Sequence, residues 1–389
     1  MPIVNRIADL HGEITAWRRD LHAHPELLYD VHRTAAMVAE KLAAFGCDEI
    51  VQGIGRTGVV GVIRGRRAGA GNKVIGLRAD MDALPIEEEN DVDYKSTMPG
   101  KMHACGHDGH TAMLLGAAKY LAETRNFSGT AVVIFQPAEE GGAGGKAMLQ
   151  DGLMERFGIQ EVYGMHNYPS LPIGQFAIRP GPFLAAADLV SIAIEGRGGH
   201  AARPHIAIDT VLIGAQIVNQ IQSIVARNVD PLESAVISIC EFHAGFTDNV
   251  IPQTAQLNGT ARSFTPETRD LLEKRLHEVV EGTALLHGGK ATLNYTRNYP
   301  VTLNHKQQTD FAASVAREIA GADRVDINAA PIMGAEDFSF MLEARPGAFI
   351  FVGNGETAGL HHPRYDFSDE AIPAGTSYWV RLVETAMPA

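Results

Sequence analysis

Ile3, Ile7, Leu10, Ile14, Trp17 and Leu21 recur three and four residues apart with polar residues between them, which predicts an amphipathic helix at the start of the chain. Beyond it, short apolar runs alternate with helical stretches. Val74-Ile75-Gly76-Leu77 predicts a buried strand ending at Arg78-Ala79-Asp80. The segment after Asp108 predicts a helix with Met113, Leu114, Ala117 and Leu121 on one face. Ala131 to Phe135 predicts a second strand, stopped by Pro137, and Val162 to Met165 a third with His166 at its end. In each case a polar residue follows the strand's C-terminal end, where open α/β sheets place their ligand crevice. Ordinary loop polarity explains one such case readily and several together poorly.

From Asp188 the pattern changes. Val190, Ile192 and Ile194 alternate with Ser191, Ala193 and Glu195, the period of a half-buried strand. Asp209 to Arg227 predicts a helix with Val211, Ala215, Val218 and Ile221 facing inward. Strands are predicted at Val236–Phe242 and Thr254–Phe264, a helix at Pro266–Leu286 with proline in its first turn, and a last strand through Ala291, Leu293 and Tyr295. Strand, helix, strand, strand, helix, strand is the order of a ferredoxin-like unit. The chain then turns helical again and gives the apolar strand Phe349-Ile350-Phe351-Val352. The expected architecture is an α/β catalytic domain (1–183 and 300–389) with an inserted α+β satellite at 184–299.

Length and charge narrow the possibilities. The 389 residues suit about two domains. A net charge of −13 argues against a nucleic-acid footprint and against an anionic membrane surface. An anionic substrate would therefore need a local arginine. Three widely spaced cysteines (Cys47, Cys105, Cys240) form no disulfide framework and suit a reducing compartment. The N-terminus reads as a helix rather than a signal peptide, and no apolar run reaches the ~20 residues of a membrane helix. A cytoplasmic protein is expected.

Two glycine motifs mimic nucleotide sites. Gly53-Ile54-Gly55-Arg56-Thr57-Gly58 fits a dinucleotide fingerprint by letter, but the β-branched run Val59 to Ile63 follows where a helix should open. Gly141 to Lys146 resembles a phosphate loop, yet Ala147 stands at the Ser/Thr position and Glu140 in place of the first glycine. Both are turns.

The chemistry concentrates in Met102 to His110, which packs three histidines, a thiol and a carboxylate into nine positions. Thiolate with imidazole suits zinc, cobalt, nickel or manganese. Cys105 and His107 are one residue apart and can aim at one site from a loop. Glu139 and Glu140 are adjacent, so one can bind metal while the other serves as a base. Asp80 and Asp82, two residues apart on a strand, could orient a ligand histidine.

These motifs, with Leu21-His22-Ala23-His24-Pro25-Glu26-Leu27, Arg78 to Pro85, Met165-His166-Asn167, Gly198-Gly199-His200, Asn249-Val250-Ile251-Pro252, Gly334 to Phe338 and Leu360-His361-His362-Pro363, resemble the metal-dependent aminoacylase and carboxypeptidase family over nearly the whole chain. The likeness is to the amidohydrolase branch that contains hippurate hydrolases and plant indole-acetyl-amino-acid hydrolases. It implies a zinc-peptidase-like fold and two divalent ions (manganese, zinc, nickel or cobalt) held by Cys105, His107, Glu140, His166 and His361. Of the adjacent His361 and His362 only one can be that ligand, and His361 is taken. Glu139 becomes the general base acting on a water shared by the ions, and His200 the oxyanion donor. Asn249, Arg262 and Gly334 become substrate contacts, and the satellite a lid and homodimer surface. The implied substrate is a small-molecule N-acyl-amino acid. A carboxypeptidase or dipeptidase on the same scaffold is the alternative. A silent metal-binding protein is a further one, against which the retained Glu139 argues.

Overall fold

The computed structural model describes residues 5–66 and 73–389, so Ile3 of the predicted first helix lies outside them. The chain folds into two compact units. The first takes the chain up to Phe183, then Leu303–Ala330 and Asp337–Ala389; the second takes Leu184–Thr302 and Pro331–Glu336. Gly334 therefore belongs to the second unit.

The first unit begins with helices α1 (Asn5–Ala23) and α2 (His32–Phe45), strands β1 (Glu49–Ile54), β2 (Gly58–Arg64) and β3 (Val74–Asp80), helix α3 (His107–Thr124), strand β4 (Thr130–Gln136), helix α4 (Gly144–Gln150) and strand β5 (Glu161–Pro169). Its eight-stranded sheet runs β1-β2-β4-β3-β5, then Gly347–Gly355, Phe176–Ala177 and Val325–Asp326. β3 is parallel to both β4 and β5, and Gly347–Gly355 is parallel to β5. β1 and β2 are antiparallel additions. Val132 to Phe135, Ile75 and Leu77 are wholly buried, as strands covered on both faces must be.

α1 buries Ile7, Leu10, Ile14, Trp17 and Leu21, the predicted stripe. α3 departs from expectation. It begins at His107 and is buried on every side through Ala118, not on one apolar face. A helix enclosed all round must satisfy its polar side chains internally. His166 lies within β5, three residues before its end. Asp82 lies beyond the end of β3, so it does not share a strand face with Asp80.

The second unit holds a four-stranded antiparallel sheet in the order Ala235–Ala244, Thr254–Ser263, Ala186–Glu195, Lys290–Tyr299. Helices Thr210–Asn228 and Pro266–Leu286 bury Ile213, Ile217, Ile221, Leu272, Leu276 and Val280 in one core with Val190, Ile192 and Ile194. The predicted inward face of the first of these helices holds at Val218 and Ile221 but fails in its first half. Asp209 caps it through the N–H groups of Val211 and Leu212, and this start points Val211 and Ala215 to solvent while Ile213, Ile217, Ile221 and Ile224 turn inward. A short ribbon pairs Gly199–His200 with Val250–Ile251. Among the described residues no helix is long and apolar enough to cross a membrane.

Candidate metal centre

Parallel pairing of β3, β4 and β5 brings Asp80, the segment after Gln136 and the His166-Asn167 pair to one region at the C-terminal edge of the sheet. Cys105 and His107 reach the same region because Gly106, between them, takes φ +86°. A side chain there would start 2.3 Å from Asn167 Nδ2 and 2.5 Å from Tyr365 Oη. Glycine is required twice over, for backbone conformation and for space.

Two donor groups result. Cys105, His107 and His166 offer ligand atoms within 4.8 Å of one another, and so do Cys105, Glu140 and His361. Cys105 belongs to both. Its Sγ lies 3.4 Å from His166 Nε2, and His361 Nε2 lies 3.2 Å from Glu140 Oε1. Glu139 joins His107 and Glu140 in a third group. His362 instead accepts a hydrogen bond from the Arg364 N–H in its own turn. The structure therefore brings His361, and not His362, to the cluster.

Surrounding hydrogen bonds fix the donors. His110 Nε2 accepts from the Asn167 N–H (2.9 Å), so its proton sits on Nδ1 and is donated to Asp80 (2.7 Å). Both nitrogens are engaged, so His110 orients and does not coordinate, although it stands with Asp80 and His107 as a possible ligand group. His166 donates from Nδ1 to the Asn167 carbonyl (2.6 Å), which leaves the Nε2 lone pair toward Cys105. Asp82 accepts from the backbone N–H groups of Glu139 (2.9 Å) and Glu140 (3.1 Å) and so holds the acidic pair in place. Asp80 and Asp82 approach His107 from opposite ring nitrogens, 3.6 Å on each side.

Charge is balanced beneath the cluster. Buried Arg78 donates to Asp80, Gln136 and Asp337. Burial would raise the Asp80 carboxyl, but Arg78, His107 and His110 hold it well below the usual range. Burial likewise disfavours a charged His107, yet Asp80 and Asp82 outweigh it and push the imidazole up to about 10. The Cys105 thiol is pushed far up by burial and by the carboxylates of Glu140, Glu139 and Asp80. Both nitrogens of His107 are buried without a hydrogen-bond partner. Thiol, imidazole and carboxylate donors converging with unsatisfied atoms in an acidic setting fit a pair of divalent transition ions.

His200, Asn249, Arg262 and Gly334 lie in the second unit. His200 pairs with Val250 on the short ribbon and Asn249 directly precedes it, its carbonyl accepting from the Ala201 N–H. His200 Nδ1 accepts from the Ala202 N–H (3.0 Å), which leaves Nε2–H as an exposed donor. Arg262, half-buried on Thr254–Ser263, donates to Thr260 and to the Ala261 carbonyl. Gly334 offers its carbonyl to the Ala185 N–H.

Several residues of the centre escaped the sequence reading. Asn167 binds the Cys105 carbonyl through Nδ2 and accepts from the Tyr365 hydroxyl. Asp108, inside the metal-like motif, faces away from the donors and accepts from Arg18 and His22. His22 is held between Asp108 and Glu88, which overcome the effect of burial and raise its pKa. The available signals were the positions of Asn167 beside His166 and of Asp108 beside His107.

Residues 76–385 match the sequence profile of peptidase family M20/M25/M40. The chain is 42% identical over 382 residues to a hippurate hydrolase of Campylobacter jejuni, covering 98% of each chain. It is 40% identical to thermostable carboxypeptidase 2 of Saccharolobus solfataricus, covering 94% of this chain and 93% of that one. A dinuclear metal-binding peptidase of the M20 family from Bacillus subtilis superposes with a TM-score of 0.85 at 33% identity, covering 98% of this chain and 99% of that one.

Proposed function

The chain belongs to peptidase family M20/M25/M40, and from that premise we propose that it hydrolyses N-acyl-amino acids of the hippurate or N-acetyl type to a carboxylic acid and a free amino acid. It is a metal-dependent hydrolase acting on amides. The observation that carries the finer reading is Cys105 shared between two donor groups, with Glu139 beside them both.

Cys105, His107, Glu140, His166 and His361 are assigned as ligands of two divalent ions, drawn from manganese, zinc, nickel and cobalt. When bound, such a pair supplies Lewis acidity toward the amide carbonyl and makes water acidic enough to act as a nucleophile near neutral pH. Glu139 then takes a proton from the attacking water and returns it to the departing amine. Asp82 aims this base through the two backbone N–H groups it binds, and Asp80 orients His107. His200 is assigned as the oxyanion donor, a role that its exposed Nε2–H suits. Asn249 and Arg262 are assigned to the substrate's carboxylate end, where the arginine fork matches a carboxylate, and Gly334 is assigned as a further substrate contact.

Amino-acid release from hippurate and a panel of N-acetyl-amino acids, with manganese-loaded and EDTA-treated protein, tests the assignment. Release that depends on metal is expected. The similarity to a carboxypeptidase supports a second reading, so N-blocked dipeptides belong in the same panel. Turnover of those dipeptides alone would replace acyl-amino acids with peptides as the substrate class.

A further inference from the structure

The turn Gly53–Gly58, which mimics a nucleotide fingerprint, stands at the sheet edge that carries the candidate centre. β2 runs antiparallel to β4 with Val59 opposite Phe135, so the turn opening β2 lies beside the place where β4 runs on toward Glu139 and Glu140. Arg56 in that turn has φ +77°, a costly conformation for a long side chain. Its guanidinium lies over the Tyr29 ring, 4.1 Å from the centroid, and makes no hydrogen bond or ion pair among the described residues.

Tyr29 in turn grips the acidic loop. Its hydroxyl donates to the Gly142 carbonyl (2.7 Å), and the neighbouring Leu28 carbonyl accepts from the Ala138 N–H (3.1 Å). One bond falls just before Glu139-Glu140 and the other just after. Thr57 ties the two segments together by donating to the Tyr29 carbonyl (2.9 Å). Gly142 is pressed into this contact, since a side chain there would start 2.6 Å from Ala138 Cβ and 3.3 Å from the Tyr29 ring.

The loop needs such restraint. Ala138 (φ +54°), Gly141 (φ +89°) and Ala143 (φ +55°) all hold positive φ. Of the seven non-glycine residues at positive φ among the described residues, Leu28, Arg56, Ala138, Ala143 and His361 lie in segments that form or touch the centre. Strain held this way persists only where neighbours over-determine it. Asp82 holds the loop from within; Tyr29 holds it from outside.

We propose that Tyr29 and Arg56 form a clasp that positions the Glu139-Glu140 loop for amide hydrolysis, resting on the assignment of Glu139 as base and Glu140 as ligand. The cation seats the ring, the ring aims the hydroxyl, and the hydroxyl fixes the Gly142 carbonyl. Neither residue touches the reacting atoms.

Tyr29→Phe removes the hydroxyl and keeps the ring; Arg56→Met removes the charge at similar length. Each is expected to lower kcat by about tenfold with KM nearly unchanged, and to weaken manganese binding by a similar factor in calorimetry. Thermal midpoints should stay close to wild type. The double variant should be no worse than Tyr29→Phe, because both act through one bond. Arg56→Lys should recover only part of the loss, since an ammonium lacks the planar fork that stacks. Wild-type kcat and manganese affinity in Tyr29→Phe, or additive losses in the double variant, would overturn the clasp. Should wild-type protein hydrolyse nothing in the panel, the functional reading falls. The manganese titration still decides the clasp: weaker binding by Tyr29→Phe upholds it and equal binding refutes it.

Discussion

Glu139 and Glu140 differ by one peptide bond, yet their surroundings suit them to different tasks. Glu140 meets His361 at the donor cluster, while Glu139 accepts from the Asp337 N–H (3.4 Å) and has its own N–H bound by Asp82. Glu139→Gln preserves this shape and removes the proton acceptor. It should retain metal and thermal midpoint while lowering kcat by about 10²- to 10⁴-fold, as measured by turnover alongside elemental analysis. Activity near wild type would remove Glu139 from the mechanism. Away from the centre, burial and then Asp48 push the Cys47 thiol up to about 12. Above the ordinary thiol range of about 8.5 the unfolded chain loses this proton first, so the contribution of Cys47 to stability is full at neutral pH and is lost as pH rises toward its folded value. Urea unfolding of wild type and Cys47→Ala should show a smaller alkaline loss in the variant; parallel losses would refute the assignment. At pH 8, alkylation mapping should label exposed Cys240 and leave Cys47 unmodified.

At the scale of elements, the centre depends on where α3 starts. Three consecutive residues place the thiol before the helix, a glycine at φ +86° as its cap and His107 at its first position. Gly106→Ala should therefore cost more than the about 1–3 kcal/mol of a strained backbone alone, because its methyl group would also meet Asn167 and Tyr365. Gly100→Ala is the control: φ is +72° there, but nothing lies within 4 Å. Chemical denaturation should rank Gly106→Ala well below Gly100→Ala, with metal affinity falling only in the former. Equal costs would show that space around Gly106 is not limiting. The apolar periods gave most elements correctly in kind, and the Gly53–Gly58 turn was legible because a strand followed where a helix was needed, whereas Gly141–Lys146, also read as a turn, runs into the helix Gly144–Gln150. The inward face of Thr210–Asn228 was legible only at Val218 and Ile221. A run containing Val211, Leu212, Ile213, Ile217 and Val218 carries apolar residues on more than one side, and only the sheet it packs on selects among them.

Across the whole molecule, the second unit leaves apolar surface at one sheet edge. Ala235–Ala244 is an edge strand, with Phe242 40% and Phe246 85% exposed nearby. Phe242 packs toward Gly214 of the adjoining helix, whose Val211 and Leu212 are also exposed. An open strand edge beside exposed apolar side chains is a template for pairing. We predict a homodimer through this unit, seen by light scattering as twice the 41.8 kDa chain mass. Leu212→Glu should shift it toward the single-chain mass without loss of helical signal. A monomeric wild type would sink the prediction.

Local pattern by itself determined the alternation of strands and helices, the change of period near Asp188 and the donor types in Met102 to His110. Each depends on neighbours within a few residues, where hydrophobic period and ligand chemistry are written directly. Tertiary structure alone decided that Cys105 serves two donor groups, that His361 rather than His362 joins one of them, and that Asp108 turns away to Arg18 and His22. It also decided that Tyr29 reaches the acidic loop and that Arg56 stacks on Tyr29. These relations join residues as distant in sequence as Cys105 and His361, and no local rule carries them. The donor cluster exists because parallel strands deliver distant loops to the same edge of one sheet, while the contacts of Arg18, His22 and Arg56 come from helix α1 and the antiparallel β1–β2 turn packed beside it.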